Sequence, residues 1–244
     1  MTLTEKQIAD IRAHAFAEYP RECCGIIACG EYLPQPNIHE TPETDFRLDA
    51  AVWCNNDVEA VVHSHPDAPD EPTASDMASQ IATAVPWVLC SVKAGVVSMP
   101  YAWGIRDRIP PLIGRGFRHG PSGTDDKGDC YALLRDYYLL ERGVELPEFP
   151  RDNEWWKQGK DLYSECFAEA GFRALGPLET PETGDVVLMS INSAVLNHAA
   201  IYVGNDMILH HLHGRLSRRE PACLWRKMFR RWIRHEDGNT PRTA

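Results

Sequence analysis

Apolar and polar positions fall into two kinds of pattern along the chain. From Met1 to Tyr19, charged residues interrupt short apolar runs, which predicts an amphipathic helix over 4–18 rather than a secretory signal. Apolar runs of strand length follow at Cys24–Cys29, at Val58–His65 (ended by Pro66), at Trp87–Val92 and at Val96–Met99. Between them, Ser75–Ala84 reads as a helix stopped before Pro86. Later, Asp129–Arg142 carries Leu133, Leu134, Tyr137 and Tyr138 at helical spacing and is closed by Gly143. Trp155–Ala170, closed by Gly171, reads as a second helix. Three strands are then expected at Asp185–Met189, His198–Val203 and Met207–His211. The first half predicts a mixed sheet with flanking helices, and the second predicts helices followed by strands. The fold class expected is therefore α+β, in two domains.

The linker expected between them is Gly104–Gly123, which holds Pro110, Pro111, Gly114, Gly116, Gly120, Pro121 and Gly123. It sets the domains at 1–108 and 112–236, with a polar, frayed tail at 237–244. A chain of 244 residues suits two cores of ordinary size. There is no run of 18 apolar residues, so no membrane span is expected. Residues 1–104 hold 5 Lys and Arg against 15 Asp and Glu, and that acidity argues against a nucleic-acid partner. The basic run Arg215 to Arg234 reads as a solvated face, or as a surface for an anionic partner. Eight cysteines without a CxxC pair point to free thiols, most of them small buried apolar groups.

His63 and His65 lie two apart on a predicted strand, so both imidazoles leave the same face. Asp76 lies in the first turn of the next helix. Two imidazoles and a carboxylate with a fourth position open are the ligand set of catalytic zinc. Glu22, just before the first strand, is the base expected to take a proton from the metal's water, with Glu18 as the alternative. HxH alone equally suits two satisfied surface histidines. The fuller pattern of upstream Glu, HxHP, ten residues and Asp resembles the JAMM (JAB-type) metallopeptidases over residues 1–104. The resemblance implies a JAMM-like fold, zinc ligation by His63, His65 and Asp76, and Glu22 as general base. Where that family has Ser, this chain has Thr73. Its hydroxyl can serve an oxyanion, or it can cap the following helix with Asp76 as its partner.

Asp129 suits a helix cap and places Cys130 in the first turn, where the helix dipole favours thiolate and is expected to lower the pKa below about 8.5. His198–His210 reads as a β-hairpin. If Gly204–Asp206 form a three-residue loop, Ala200 faces His210, and His198 becomes its diagonal neighbour on the same face. A two-residue loop would set the two rings on opposite faces. One imidazole would then serve Cys130 and the other would orient it. The tract His210-His211-Leu212-His213 offers metal binding as another reading. Trp155-Trp156 reads as core, or as a sugar platform.

These residues resemble the NlpC-type cysteine peptidases, over residues 112–236. The resemblance implies a papain-like α+β domain that cuts peptidoglycan stem peptides, with Cys130 as nucleophile, His198 as base and His210 as orienting residue. The family usually has a Tyr about a dozen residues before the Cys. Here that stretch is Phe117-Arg118-His119-Gly120, without the hydroxyl. The JAMM-then-NlpC order resembles the tail tip assembly proteins of lambda-type phages (the protein K kind). It implies a peptidase made in the host cytoplasm, with other tail tip proteins as partners and action at the cell wall during entry. The alternatives are a structural tail protein with vestigial sites, and an isopeptidase acting on a ubiquitin-like modifier.

Overall fold

The computed structural model describes residues 1–105 and 107–237. Beyond Asp237, the expected frayed tail lies outside the described residues. The chain forms two compact units, Met1–Arg108 with Gly123–Asp125, and Ile109–Ser122 with Asp126 onward.

In the first unit, helix α1 (Glu5–Glu18) is started by a capping box, in which Thr4 accepts from the Gln7 N–H and Gln7 answers on the Thr4 N–H. Strands β1 (Cys24–Ala28) and β2 (Glu31–Gln35) form a hairpin, followed by α2 (Ala50–Asn55). Strand β3 (Ala60–Pro66), α3 (Ala74–Thr83) and β4 (Trp87–Lys93) make a parallel crossover. The short strands β5 (Val96–Val97) and β6 (Tyr101–Trp103) pair antiparallel with β4. The sheet order is β2-β1-β3-β4-β5, with β6 also on β4. Ile11 and Ala15 of α1 bury one face, against Val62 and Val88. Met77 of α3 buries the other, against Val61, Trp87 and Leu89. Along β3, odd residues therefore face α3 and even residues face α1.

The second unit opens with a two-stranded parallel pair, β7 (Gly116–Phe117) and β8 (Lys127–Gly128). Helix α4 (Cys130–Tyr137) runs into a π turn, Tyr138–Arg142, closed by Gly143 at φ +68°. The single long helix expected at Trp155–Ala170 is instead a 3-10 turn, Trp155–Gln158, and then α5 (Leu162–Cys166). Gly159 at φ +79° breaks it, and Asp161 caps the new start. Six antiparallel strands follow: β9 (Phe172–Ala174), β10 (Val186–Met189), β11 (His198–Tyr202), β12 (Met207–His210), β13 (Arg218–Pro221) and β14 (Phe229–His235). Their order is β13-β12-β11-β10-β14-β9. α4 packs Leu133, Leu134 and Tyr137 against Leu188, Ala199 and Ile201.

Two further expectations are corrected. The glycine- and proline-rich stretch is not a free linker throughout, because Arg115, Arg118, His119 and Ser122 are buried. The Arg115 guanidinium donates to the Pro110 and Pro111 carbonyls and to Asp136 of α4, which Ser122 also bonds. The late basic run is a solvated face for the most part, with Arg215, Arg219, Arg226, Lys227, Arg230 and Arg231 exposed, but not throughout. Part of it is β14, where Arg234 pairs with buried Asp185 at 2.8 Å and Arg231 lies over the Phe167 ring. All eight cysteines are free. Cys23, Cys24 and Cys90 are buried as expected, Cys130 and Cys166 are half-buried, but Cys29, Cys54 and Cys223 are exposed.

Removing one partner of a buried ion pair strands the other charge in a dry interior, which costs about 3–5 kcal/mol. Asp136→Ala is expected to destabilise the second unit by about that much, measured by denaturant unfolding. A loss below about 1 kcal/mol would show that Arg115 finds other compensation.

Candidate functional site

The two-residue period of β3 turns His63 and His65 to the face that α3 covers, and α3 brings Asp76 to meet them. His63 Nε2 lies 3.4 Å from Asp76 Oδ1, and His65 Nε2 lies 3.4 Å from Asp76 Oδ2. One donor atom from each of the three residues falls within 4.8 Å of the others. Neither ring nitrogen of His63 makes a hydrogen bond, although the side chain is fully buried. An unpaired buried imidazole is costly, and a cation would satisfy it. His65 Nδ1 meets the Pro69 carbonyl at 3.2 Å, which holds that ring and leaves Nε2 as its donor atom. These three residues can hold a metal ion.

Glu22 lies beside them, its Oε1 4.0 Å from His65 Nε2. It lines a cavity of about 230 Å³ with His65, Thr73, Asp76, Asp45 and Arg47, whereas Glu18 pairs with Arg21 instead. Burial pushes the Glu22 carboxyl up to about 8. Burial also opposes charge on Asp76, but His63 and His65 outweigh it and hold that carboxyl well below its usual range. Burial drives the His63 pKa down. On His65 it is outweighed by Asp76 and then Glu22, and that pKa rises. The Thr73 hydroxyl donates to Asp76 Oδ2 at 2.7 Å and accepts from the Asp76 N–H at 3.1 Å, while the Thr73 N–H bonds the same carboxylate. Of its two sequence readings, the structure shows the cap. The hydroxyl braces Asp76 at the wall of the cavity.

In the second unit, β11 pairs with β12 through Ile201↔Leu209 and Tyr202↔Ile208, the register that a three-residue loop sets. His198 and His210 consequently share a face, with Nε2 of the first 3.2 Å from Nδ1 of the second. Sequence reasoning missed the next member. His210 Nε2 meets Glu220 Oε2 of β13 at 3.0 Å, and Glu220 also takes Trp225 Nε1–H at 2.8 Å and Arg218 at 2.7 Å. No spacing in the chain signals Glu220; only the β12–β13 pairing brings it in. Since Glu220 accepts, His210 carries its proton on Nε2 and accepts at Nδ1 from His198 Nε2–H. His198 Nδ1 is left as the basic nitrogen.

Cys130 opens α4, and Asp129 caps it by accepting from the Ala132 N–H at 2.8 Å. Arg151 donates to both oxygens of Asp129, at 2.7 and 3.1 Å. Cys130 and His198 line one cavity of about 410 Å³, whose wall also includes His211, Trp155 and Tyr163. They are not hydrogen-bonded to each other. The sulfur lies 3.2 Å from the Tyr163 hydroxyl. The low thiol pKa expected from the helix start is corrected: burial and then the Asp129 charge push Cys130 up to about 11. Burial, with His210 and His211 beside it, brings His198 down to about 3.

Residues 99–234 match the NlpC/P60 family, and residues 4–103 match prokaryotic homologs of the JAB domain. The chain is 36% identical over 247 residues to tail tip assembly protein K of Escherichia phage N15, covering 96% of each. It is 37% identical over 164 residues to tail tip assembly protein K of Escherichia phage lambda, covering 67% of this chain and 74% of that one. The chain belongs to this tail tip assembly protein K family. Its second unit is of the NlpC/P60 family, which indicates a cysteine-peptidase hydrolase. A solved NLP/P60 family protein from Staphylococcus aureus, similar to a lipoprotein, is 15% identical, with 50% of this chain and 37% of that chain covered. Its TM-score of 0.36 supports no closer comparison. Among the described residues of this family member, no helix is long and apolar enough to cross a membrane.

The lowered histidines fix how the second unit responds to acid. His198 falls to about 3 and His211 to about 4, both from burial, and His210 and His235 are also lowered. An unfolded histidine binds its proton near pH 6.5, before the folded one does. Stability is therefore full above about pH 6.5 and falls as the pH drops toward 4, by up to about 1.4 kcal/mol per pH unit for each histidine. Amide protection factors in β10–β12, corrected for the intrinsic exchange rate at each pH, are expected to fall across that window, and unchanged protection would contradict it.

Proposed function

We propose that this tail tip assembly protein is a two-site peptidase, and that its second unit cleaves peptidoglycan stem peptides. The observation that carries the reading is Cys130 at the start of α4, against the strand whose His198 is held by His210 and Glu220. Cys130 Sγ attacks the peptide carbonyl carbon as its proton passes to His198 Nδ1. His198 then gives that proton to the leaving amine as the C–N bond breaks, and water cleaves the thioester. His210 and Glu220 keep the base in the required tautomer.

For the first unit the reading is a zinc peptidase. One donor atom from each of His63, His65 and Asp76 lies within 4.8 Å of the others, and two imidazoles with a carboxylate are a donor set that suits zinc. His63, His65 and Asp76 would hold the ion, with Thr73 bracing Asp76 and Pro69 fixing His65. Bound zinc supplies Lewis acidity and lowers a water's pKa to about 7. Glu22, with its carboxyl raised into the neutral range, takes a proton there and returns it to a leaving amine. A tail-protein precursor and a cell-wall cross-link are its candidate bonds. The protein would be made in the host cytoplasm, join other tail tip proteins and reach the wall with the tail.

Purified wild type is expected to release peptides from peptidoglycan sacculi. Cys130→Ala should lower the release of stem-peptide fragments by at least about a thousandfold, whereas His63→Ala still releases them. No release by wild type, with normal tail assembly by both variants, would favour a structural protein with vestigial sites. Elemental analysis should find about one zinc per chain, falling to background in His63→Ala and in Asp76→Asn. Equal zinc in all three would place the metal elsewhere.

A further inference from the structure

We propose that Tyr163 is a further catalytic residue of the thiol site, where its hydroxyl donates to Cys130 Sγ and stabilises the attacking thiolate. This rests on Cys130 being the nucleophile. The Tyr163 oxygen lies 3.2 Å from the sulfur, which is its one hydrogen-bond partner among the described residues. The ring is held in place. Asp161 caps α5 by taking the Ser164 N–H at 3.1 Å and the Ser164 hydroxyl at 2.9 Å. The Tyr163 ring packs against Trp155, centroid to centroid 5.9 Å, and against the α4 core.

Cys130 needs such a donor. It sits in a half-buried position next to the Asp129 carboxylate, and burial and that charge both oppose ionisation. The dipole of a helix as short as α4 does not overcome them. The charged and titratable groups around the sulfur give no other side-chain donor. Arg151 is turned onto Asp129 and Glu148, and His119 Nδ1 lies 3.8 Å from Asp129. His198 gives Nε2–H to His210, neither ring nitrogen of His211 makes a hydrogen bond to the sulfur or to any other described group, and Glu154 pairs with Lys157 at 2.6 Å. Phe117 lines the same cavity but has no hydroxyl, and its ring meets His211 and His213. Tyr163, whose own pKa burial and the neighbouring sulfur push well up, stays protonated and remains a donor throughout. The thiol proton goes to His198, the S–C bond forms, and the Tyr163 O–H is neither made nor broken.

The test is site-resolved alkylation of Cys130 with iodoacetamide, read by peptide mass spectrometry across pH on full-length wild type and Tyr163→Phe. A hydrogen bond to a charged group accounts for about a tenfold effect or more, so Tyr163→Phe should raise the pH midpoint at Cys130 by roughly one unit. Alkylation below that midpoint should slow by about tenfold, while the exposed Cys29 and Cys54 react as before. Peptide release from sacculi should fall in kcat with KM little changed. An unmoved Cys130 profile in a variant with wild-type melting behaviour overturns the proposal and leaves Tyr163 a packing residue. If Tyr163→Phe melts early, Tyr163→Met serves as the second comparison, and an unmoved profile there overturns the proposal equally. A wild-type Cys130 that resists alkylation at every pH, with no peptide release, overturns the nucleophile itself.

Discussion

A strand side chain has only two directions in which to leave its sheet, and both sites are built on that restriction. On β3 it sends His63 and His65 to the α3 side, where Asp76 can meet them, while Val62 goes to α1. In the second unit the same rule acts across two strands. Register decides whether His198 and His210 meet, and a shift of one residue would put one ring on each face. The loop Gly204–Asp206, where all three residues have positive φ, sets that register. A loop of fixed length thus determines a hydrogen bond between two imidazoles.

Around these placements, buried charge is balanced locally. Asp129 caps α4, accepts from the Gly120 N–H and takes both donors of Arg151. Arg151 in turn reaches Glu148, which Arg135 also bonds. A carboxylate in a dry interior needs partners of this kind, or it takes up a proton. The network has a consequence for the neighbouring thiol. The cap that starts the helix is a negative charge held beside the sulfur, so the residue that orients Cys130 also opposes its ionisation. Capping and thiolate stabilisation, which sequence reasoning treats as allied effects of one helix start, work against each other here.

What the sequence made legible was local or periodic. The helix expected over 4–18 and the common face of His63 and His65 follow from spacing, and of the alternatives that the sequence left open the structure forms the cap at Thr73 and the three-residue hairpin loop. What it hid depended on distant pairing or on conflicting signals. Glu220 reaches His210 only through the β12–β13 register. Tyr163 reaches Cys130 only because the stretch expected as one helix breaks at Gly159 and restarts at Asp161. Strand β14 was masked by its arginines, whose charge reads as surface. Buried Asp185 neutralises Arg234, while Arg230 and Arg231 stay exposed, with the Arg231 guanidinium over the Phe167 ring, so that a strand carrying three arginines still fits inside a sheet.

In the reaction proposed for the thiol site, the order of the two pKa values limits how the first step can begin. With Cys130 near 11 and His198 near 3, the thiol holds its proton far more tightly than the imidazole does. A thiolate–imidazolium pair is then not the resting state, and both groups wait neutral. The proton has to move as the S–C bond forms, when charge passes from sulfur to the substrate carbonyl. The imidazolium produced is stabilised only if a carboxylate lies along the chain of rings, and Glu220 occupies that place, two hydrogen bonds from His198. Burial that makes the ground state unreactive therefore makes the Glu220 carboxylate, and not a preformed ion pair, the electrostatic partner of the step.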